Sequence, residues 1–167
     1  MHYICEFNDE INKIVKTHGL NLNNDGTFRI DYVNEPTEEQ IVAVNNLIQN
    51  YPLFCKKLEK LAKIDEEWNQ TIAQGWDSNQ GFTLGLSAND VALISGVFAL
   101  AKEAAALNLP LPQIIALDNT AISFTSINEM VQLLLQYGSA RAQLSSVFAS
   151  RRKAVENATS IEEIDGV

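Results

Sequence analysis

Histidine and cysteine, the side chains that most often supply nucleophiles, general bases and metal ligands, are scarce in this chain. Its 167 residues include two of each. No Cys-x-x-Cys, His-x-x-x-His or His-Glu-x-x-His spacing is present, which excludes the common zinc motifs. No glycine-rich loop is followed by Lys-Ser or Lys-Thr, so a phosphate-binding loop of that type is excluded too. We therefore expect no metal, no cofactor and no catalytic residue.

The two cysteines, Cys5 and Cys55, are far apart in the sequence. The N-terminus has neither the basic start nor the apolar stretch of a signal peptide, so we expect a protein made in the cytosol, where disulfides are rare. Both thiols are then predicted to be buried and unpaired. His2 is terminal, and His18 lies at a predicted helix end, where the helix dipole favours an imidazolium. A small enzyme using Cys5 or Cys55 as a nucleophile is the alternative from another class, although no third group that would orient a base stands out.

Basic side chains are also few, since 12 Lys and Arg face 21 Asp and Glu, for a net charge of −9. This balance argues against nucleic acid and against an anionic membrane surface as partners, because both need a concentrated basic surface. The longest apolar stretch, residues 91–107, is interrupted by Ser95, Gly96, Lys102 and Glu103, so no membrane span is predicted. The hydrophobic content of 46 % is sufficient for a globular core.

Residues 1–51 predict a small α/β module. The short apolar run at residues 3–7 is predicted to be a strand, and Asn8 to be the N-cap of a helix over residues 9–18. Alternating apolar residues on both sides of Asn24-Asp25-Gly26 are typical of a β-hairpin, because Asp-Gly accepts the positive φ of a tight turn. Thr37 and Gln40 then form a capping box, which predicts the start of a helix.

Residues 52–167 predict a larger, mainly helical part. A helix begins at Pro52 and ends near Gln74, and a second hairpin is centred on Asp118-Asn119. Capping boxes predict further helix starts at Ser87/Asp90 and Ser126/Glu129, and a last short turn at Ser160/Glu163. The helix after Ser126 is long, with Arg141 and Arg151 at the edges of its apolar stripe. The predicted fold class is α+β, mainly helical, with helices packed on short β-hairpins.

The larger part resembles an uncharacterised domain found toward the C-terminal end of many phage and prophage tail proteins. The resemblance covers about residues 57–167. It begins with the Lys- and acid-rich helix at residues 57–65 and continues with a Gly-turn and short strand, a helix, a hairpin and a long helix. Its best-matching segment is Arg152-Lys153-Ala154-Val155-Glu156-Asn157-Ala158-Thr159-Ser160-Ile161-Glu162-Glu163-Ile164. Trp68 departs from the family pattern, as does the absence of a Trp before the hairpin, where Gln113 and Ile114 stand.

The resemblance implies a bacteriophage tail, baseplate or tail-fibre component that acts through contacts with other tail proteins. It would be made in the host cytoplasm and end in the virion tail. The family is not known as catalytic, so the resemblance carries no active-site residue across. A tail-fibre assembly chaperone, absent from the mature virion, is the alternative. Because tails are cyclic assemblies, we expect a homo-oligomer.

Two segments are candidates for partner contacts. The predicted strand at residues 3–7 would add to the edge of a partner's sheet. The apolar stripe of the helix from Pro52 would pack against symmetry mates; the alternative for both segments is that they complete the chain's own core. The candidate contact residues are Tyr3, Cys5, Phe7, Phe54, Leu58, Leu61, Trp68 and Ile72.

Overall fold

The structure is a computed structural model that describes residues 3–167, so His2 lies outside the described part of the chain. Residues 3–167 form six helices and three two-stranded antiparallel sheets, which confirms the predicted mainly helical α+β fold. The helices are α1 (Ile4–Asn12), α2 (Glu38–Gln49), α3 (Tyr51–Gln74), α4 (Ala88–Ala106), α5 (Ile127–Asn157) and α6 (Ile161–Asp165). The strands are β1 (Thr17–Leu22), β2 (Phe28–Tyr32), β3 (Trp76–Asp77), β4 (Thr83–Leu84), β5 (Ile114–Ile115) and β6 (Ala121–Ile122).

The described residues divide into two compact units. One unit contains the residues up to Ala62 together with Ala154–Val167, and the other contains Lys63–Lys153. The boundaries fall inside α3 and α5, so each of these helices contributes residues to both units. The division predicted from the sequence, into residues 1–51 and 52–167, places its boundary elsewhere.

Residues 4–12 are helical, and the predicted strand at residues 3–7 is wrong. Helix α1 buries Phe7 and Ile11, which are four residues apart, and Ile4 packs against the same core. Residues spaced by three and four lie on one face of a helix, so this set favours a helix over a strand. The exposed edge strand proposed for partner contacts therefore does not exist here.

Helix α1 ends at Asn12, well before the predicted end at residue 18, because asparagine side chains hold the start of the next strand. The Thr17 hydroxyl donates to Asn8 Oδ1 at 2.9 Å, and the Thr17 backbone N–H donates to Asn12 Oδ1 at 2.9 Å. Asn8 is thus a residue of the helix interior and not its N-cap. His18 is exposed in β1 and does not lie at a helix end.

The predicted hairpin at Asn24-Asp25-Gly26 is confirmed. Strands β1 and β2 pair antiparallel, with Leu20 opposite Ile30. Gly26 has a φ of 84°, and Asp25 Oδ1 accepts hydrogen bonds from the Thr27 N–H and hydroxyl at 3.0 and 2.6 Å. The hairpin packs against α1, α2 and the start of α3. The core there consists of Phe7, Ile11, Val15, Leu20, Val44 and Tyr51.

Local capping chemistry begins two of the helices as predicted. Thr37 and Gln40 form a complete capping box at α2, and Ser87 and Asp90 form another at α4. In the second box the Ser87 hydroxyl donates to Asp90 Oδ2 at 2.6 Å, while the Asp90 N–H donates to the Ser87 hydroxyl at 3.1 Å. Each box satisfies backbone N–H groups that a helix leaves without intrahelical partners.

The cap of the long helix α5 differs from the predicted reciprocal box. The Glu129 N–H donates to the Ser126 hydroxyl at 3.2 Å, as expected. The Glu129 carboxylate, however, accepts mainly from the residue before Ser126, from the backbone N–H of Thr125 at 2.8 Å. The same arrangement recurs before α6, where Glu163 accepts from the Thr159 N–H at 2.6 Å. These hydrogen bonds lower the pKa of both carboxyls.

The second core lies between α4, α5 and the two short hairpins. Its buried residues are Leu84, Leu86, Ile94, Ile114, Leu133 and Tyr137. The hairpin predicted at Asp118-Asn119 is confirmed, with Asn119 at a φ of 67°. None of the helices within residues 3–167 combines the length and the apolarity needed to cross a membrane.

Candidate functional site

Three of the eight predicted contact residues, Phe7, Phe54 and Ile72, belong to the two hydrophobic cores or pack against them. Phe7 is 1 % exposed and touches the rings of Tyr51 and Phe54 at 4.7 and 5.3 Å between centroids. Ile72 packs against the second core, and Trp68 lies edge-on to Phe148 at 5.1 Å. Of the other predicted contact residues, Tyr3, Leu58 and Leu61 are half-buried, and Cys5 is exposed. The alternative that these side chains complete the chain's own core therefore holds for Phe7, Phe54 and Ile72.

The cysteines are both free, but only one is shielded from solvent. Cys55 is half-buried and packs against the core around Phe7. Cys5 is exposed on the first turn of α1, so the prediction of two buried thiols is wrong for Cys5. The helix explains the difference, because Ile4 and Phe7 turn inward and leave Cys5 on the outer side.

A surface that the predictions did not include lies on α4. Its leucine face, defined as Leu93, Leu100 and Leu107, is 60, 64 and 67 % exposed. Half-buried Val97 and Ala104 lie between these leucines, so the spacing alternates between four and three residues. Helices that pack on one another in coiled coils have this spacing, with leucine at one core position and smaller residues at the other.

The leucine face is distinct from the side of α4 that its own unit covers. Ile94 and Ala101, on the neighbouring side of the helix, are 6 and 0 % exposed. Helix α4 therefore has two apolar sides, of which one is buried and one faces solvent. An exposed apolar surface of this kind is typical of a contact with another protein.

A groove of about 370 Å³ extends the apolar surface from α4 to the β5 hairpin. Leu93 and Val97 line it on the helix, and Ile115 and Leu117 line it on the hairpin. Ile115 is 57 % exposed and Leu117 is 45 % exposed. The backbone N–H of Leu117 donates to the Thr83 carbonyl at 2.9 Å, which fixes the hairpin at this place.

A second groove, of about 460 Å³, separates α4 from α5 and has a different character. Its walls are mostly apolar or small side chains, and Arg141 is its one charged lining residue. The lining is Val91, Ile94, Ser95 and Phe98 of α4, and Leu134, Tyr137, Gly138, Arg141, Ala142 and Ser145 of α5.

Arg141 differs from the two arginines that follow it on α5. Arg151 pairs with Glu67 at 2.6 Å, and Arg152 pairs with Asp65. Arg141 takes part in none of the ion pairs formed within residues 3–167. Its Nε is buried and has no hydrogen-bond partner among the described residues.

The floor of this groove is fixed by Tyr137. Its hydroxyl donates to the Gly85 carbonyl at 2.6 Å, and its ring lies edge-on to Trp76 with 5.7 Å between centroids. Burial raises the pKa of Tyr137, which keeps the hydroxyl neutral and able to donate. Tyr137 thus connects α5 to the segment just before α4.

The leucine face was readable from the sequence, but Arg141 was not. The spacing of Leu93, Val97, Leu100, Ala104 and Leu107 is a pattern in the sequence alone. The sequence alone does not show which of the two apolar sides of α4 is buried by the rest of the chain. Arg141 appears in the sequence only as a basic residue at the edge of a stripe, and it is the fold that leaves its Nε without a hydrogen-bond partner within residues 3–167.

Comparison with known protein families, curated proteins and solved structures finds no match to this chain. Within residues 3–167, no group of three or more His, Cys, Asp and Glu side chains is arranged to hold a metal ion.

Proposed function

We propose that this chain is a non-enzymatic structural protein that acts through protein–protein contacts in the tail of a bacteriophage, at the baseplate or the tail fibre. The leucine face supports the contact role, because Leu93 and Leu100 of α4 and Leu107, the C-cap residue that follows it, are each more than half exposed and lie in one row. A row of this kind forms the apolar centre of an interface when a second helix covers it.

The occupant of the leucine face is a second copy of the same chain. A two-fold axis at Leu100 would place Leu93 of one copy opposite Leu107 of the other, because both are seven residues from Leu100. Val97, three residues before Leu100, would then lie close to Ala104 of the partner, four residues after Leu100, so that a larger side chain lies near a smaller one. A surface that matches itself in this way is what a two-fold interface requires.

Sedimentation equilibrium tests the contact role. The unchanged chain is expected to self-associate, and Leu100→Glu is expected to make it a monomer, because the interface would bury an unpaired carboxylate. Ala99→Glu is the matched control: it adds the same charge to an exposed position about 100° away around the helix. A monomeric unchanged chain, or equal effects of the two variants, contradicts this role for the leucine face.

The phage context is supported by the resemblance of residues 57–167 to the phage-tail domain. Quantitative mass spectrometry of purified particles, from the phage or prophage that encodes the chain, tests it. A fixed copy number per particle is expected for a tail component. Absence from the particle, together with loss of tail fibres when the gene is deleted, would instead identify an assembly chaperone. A chain that is absent from particles and dispensable for tails contradicts both functions.

A further inference from the structure

The groove between α4 and α5 has the properties of a small-molecule site. Its volume of about 460 Å³ lies within the range of ligand pockets, which is roughly 300–1,000 Å³. Such pockets are lined mainly by apolar side chains, with a few polar groups that orient the ligand. Here Phe98 and Leu134 provide apolar wall, and Arg141 is the charged group.

The charge of the groove is opposite to that of the chain. The chain has 21 acidic and 12 basic residues, yet among residues 3–167 no acidic side chain lines this groove. A buried guanidinium nitrogen without a partner is costly, because it has lost its hydration and gained no hydrogen bond. Arg141 Nε is in that situation within residues 3–167, so the Arg141 guanidinium has hydrogen-bonding capacity left unused at this groove.

We propose that this groove binds an anionic amphiphile, a carboxylate with an apolar tail, and that Arg141 is its counter-charge. The guanidinium presents a planar set of donors that fits the two oxygens of a carboxylate. The tail would lie along the apolar wall formed by Phe98 and Leu134. This inference does not rest on the leucine face, which is on another side of α4.

Isothermal titration calorimetry with decanoate and decanol tests the proposal, because the two probes share a tail and differ in charge. Decanoate is expected to bind the unchanged chain more tightly than decanol. Arg141→Gln is expected to weaken decanoate binding by about tenfold or more and to leave decanol binding unchanged. Arg151→Gln, the same substitution on the same helix at an arginine paired with Glu67, is expected to change neither affinity.

A second variant checks that the probes occupy this groove. Gly138 lines it, and a Cβ added there meets no atom within 4 Å, so Gly138→Leu fills the groove without a backbone clash. Both probes are expected to lose binding in this variant, while its thermal unfolding stays close to that of the unchanged chain. The proposal is overturned if decanoate does not bind, if Arg141→Gln leaves its affinity unchanged, or if Gly138→Leu still binds both probes.

Discussion

Two buried tyrosines in this molecule differ in what their hydroxyls do. Tyr137 is 4 % exposed and donates to the Gly85 carbonyl, whereas Tyr51 is 9 % exposed and its hydroxyl, beside the Cys55 thiol, has no partner in good hydrogen-bonding geometry within residues 3–167. Burial raises the pKa of Tyr51 to about 12, so its hydroxyl is neutral at ordinary pH. A buried polar group stabilises a fold only when it is paired, so these two hydroxyls should have opposite energetic value.

The same substitution at both tyrosines tests this difference. Tyr137→Phe is expected to lower the free energy of unfolding by about 1–3 kcal/mol, because the buried Gly85 carbonyl loses its donor. Tyr51→Phe is expected to be neutral or slightly stabilising, because it removes a hydroxyl that has no partner in good hydrogen-bonding geometry within residues 3–167. Urea denaturation of both variants provides the measurement. Equal losses in the two would show that the hydrogen bond to Gly85 contributes nothing specific.

At the scale of single elements, the junction before α4 leaves no room for a side chain at Gly85. Gly85 lies between the Tyr137 hydroxyl and the capping box of α4. A Cβ added to Gly85 would be 2.3 Å from the Asp90 carboxyl carbon. Asp90 cannot move away without losing its hydrogen bonds to Ser87, which begin the helix.

Glycine-to-alanine substitutions separate this constraint from ordinary helix propensity. Gly85→Ala is expected to destabilise the protein by about 1–3 kcal/mol, as an overpacked site does. Gly96→Ala, within α4, is expected to stabilise by about 0.5–1 kcal/mol, since nothing lies within 4 Å of the added Cβ and alanine is the better helix former. Thermal unfolding of the two variants measures both effects. A neutral Gly85→Ala would mean that the cap of α4 rearranges at no cost.

The elements that the sequence predicts well are those determined by neighbouring residues. Two capping boxes, which begin at Thr37 and Ser87, and the hairpin turn at Asp25-Gly26 are examples. Each depends on side chains only a few positions apart in the chain, so its chemistry is visible in the sequence. Helix α1 was mispredicted because Ile4, Phe7 and Ile11 show their spacing over only two turns, and an alternating reading of residues 3–7 competes with it.

The candidate sites were less predictable because they depend on which surfaces the fold leaves uncovered. Leu93 and Ile94 are adjacent and similar in the sequence, yet one is 60 % exposed and the other 6 %. Likewise, Arg141 and Arg151 lie on the same helix, and only Arg151 meets a carboxylate, that of Glu67. The partner of Arg151 lies 84 positions away in the sequence, so no local pattern distinguishes the two arginines.

At the scale of the whole molecule, the net negative charge of the chain opposes both proposed contacts. Two copies that meet at the leucine face bring together two chains of net charge −9, so their apolar attraction works against mutual repulsion. An anionic amphiphile in the groove is likewise repelled by the chain as a whole but attracted by Arg141 at short range. Added salt screens charges beyond about 10 Å at 0.1 M, and exposed charges more strongly than buried ones.

Self-association should therefore tighten as salt is added. Sedimentation equilibrium at about 0.05 and 0.5 M NaCl is expected to show a lower dissociation constant at the higher concentration, because the repulsion between the two chains is screened while the leucine contacts remain. Leu100→Glu is expected to be monomeric at both concentrations, which separates a specific contact from general precipitation by salt. A dissociation constant that rises with salt would show that ion pairs hold the copies together. In that case the pairing of Leu93 with Leu107 would not be the interface.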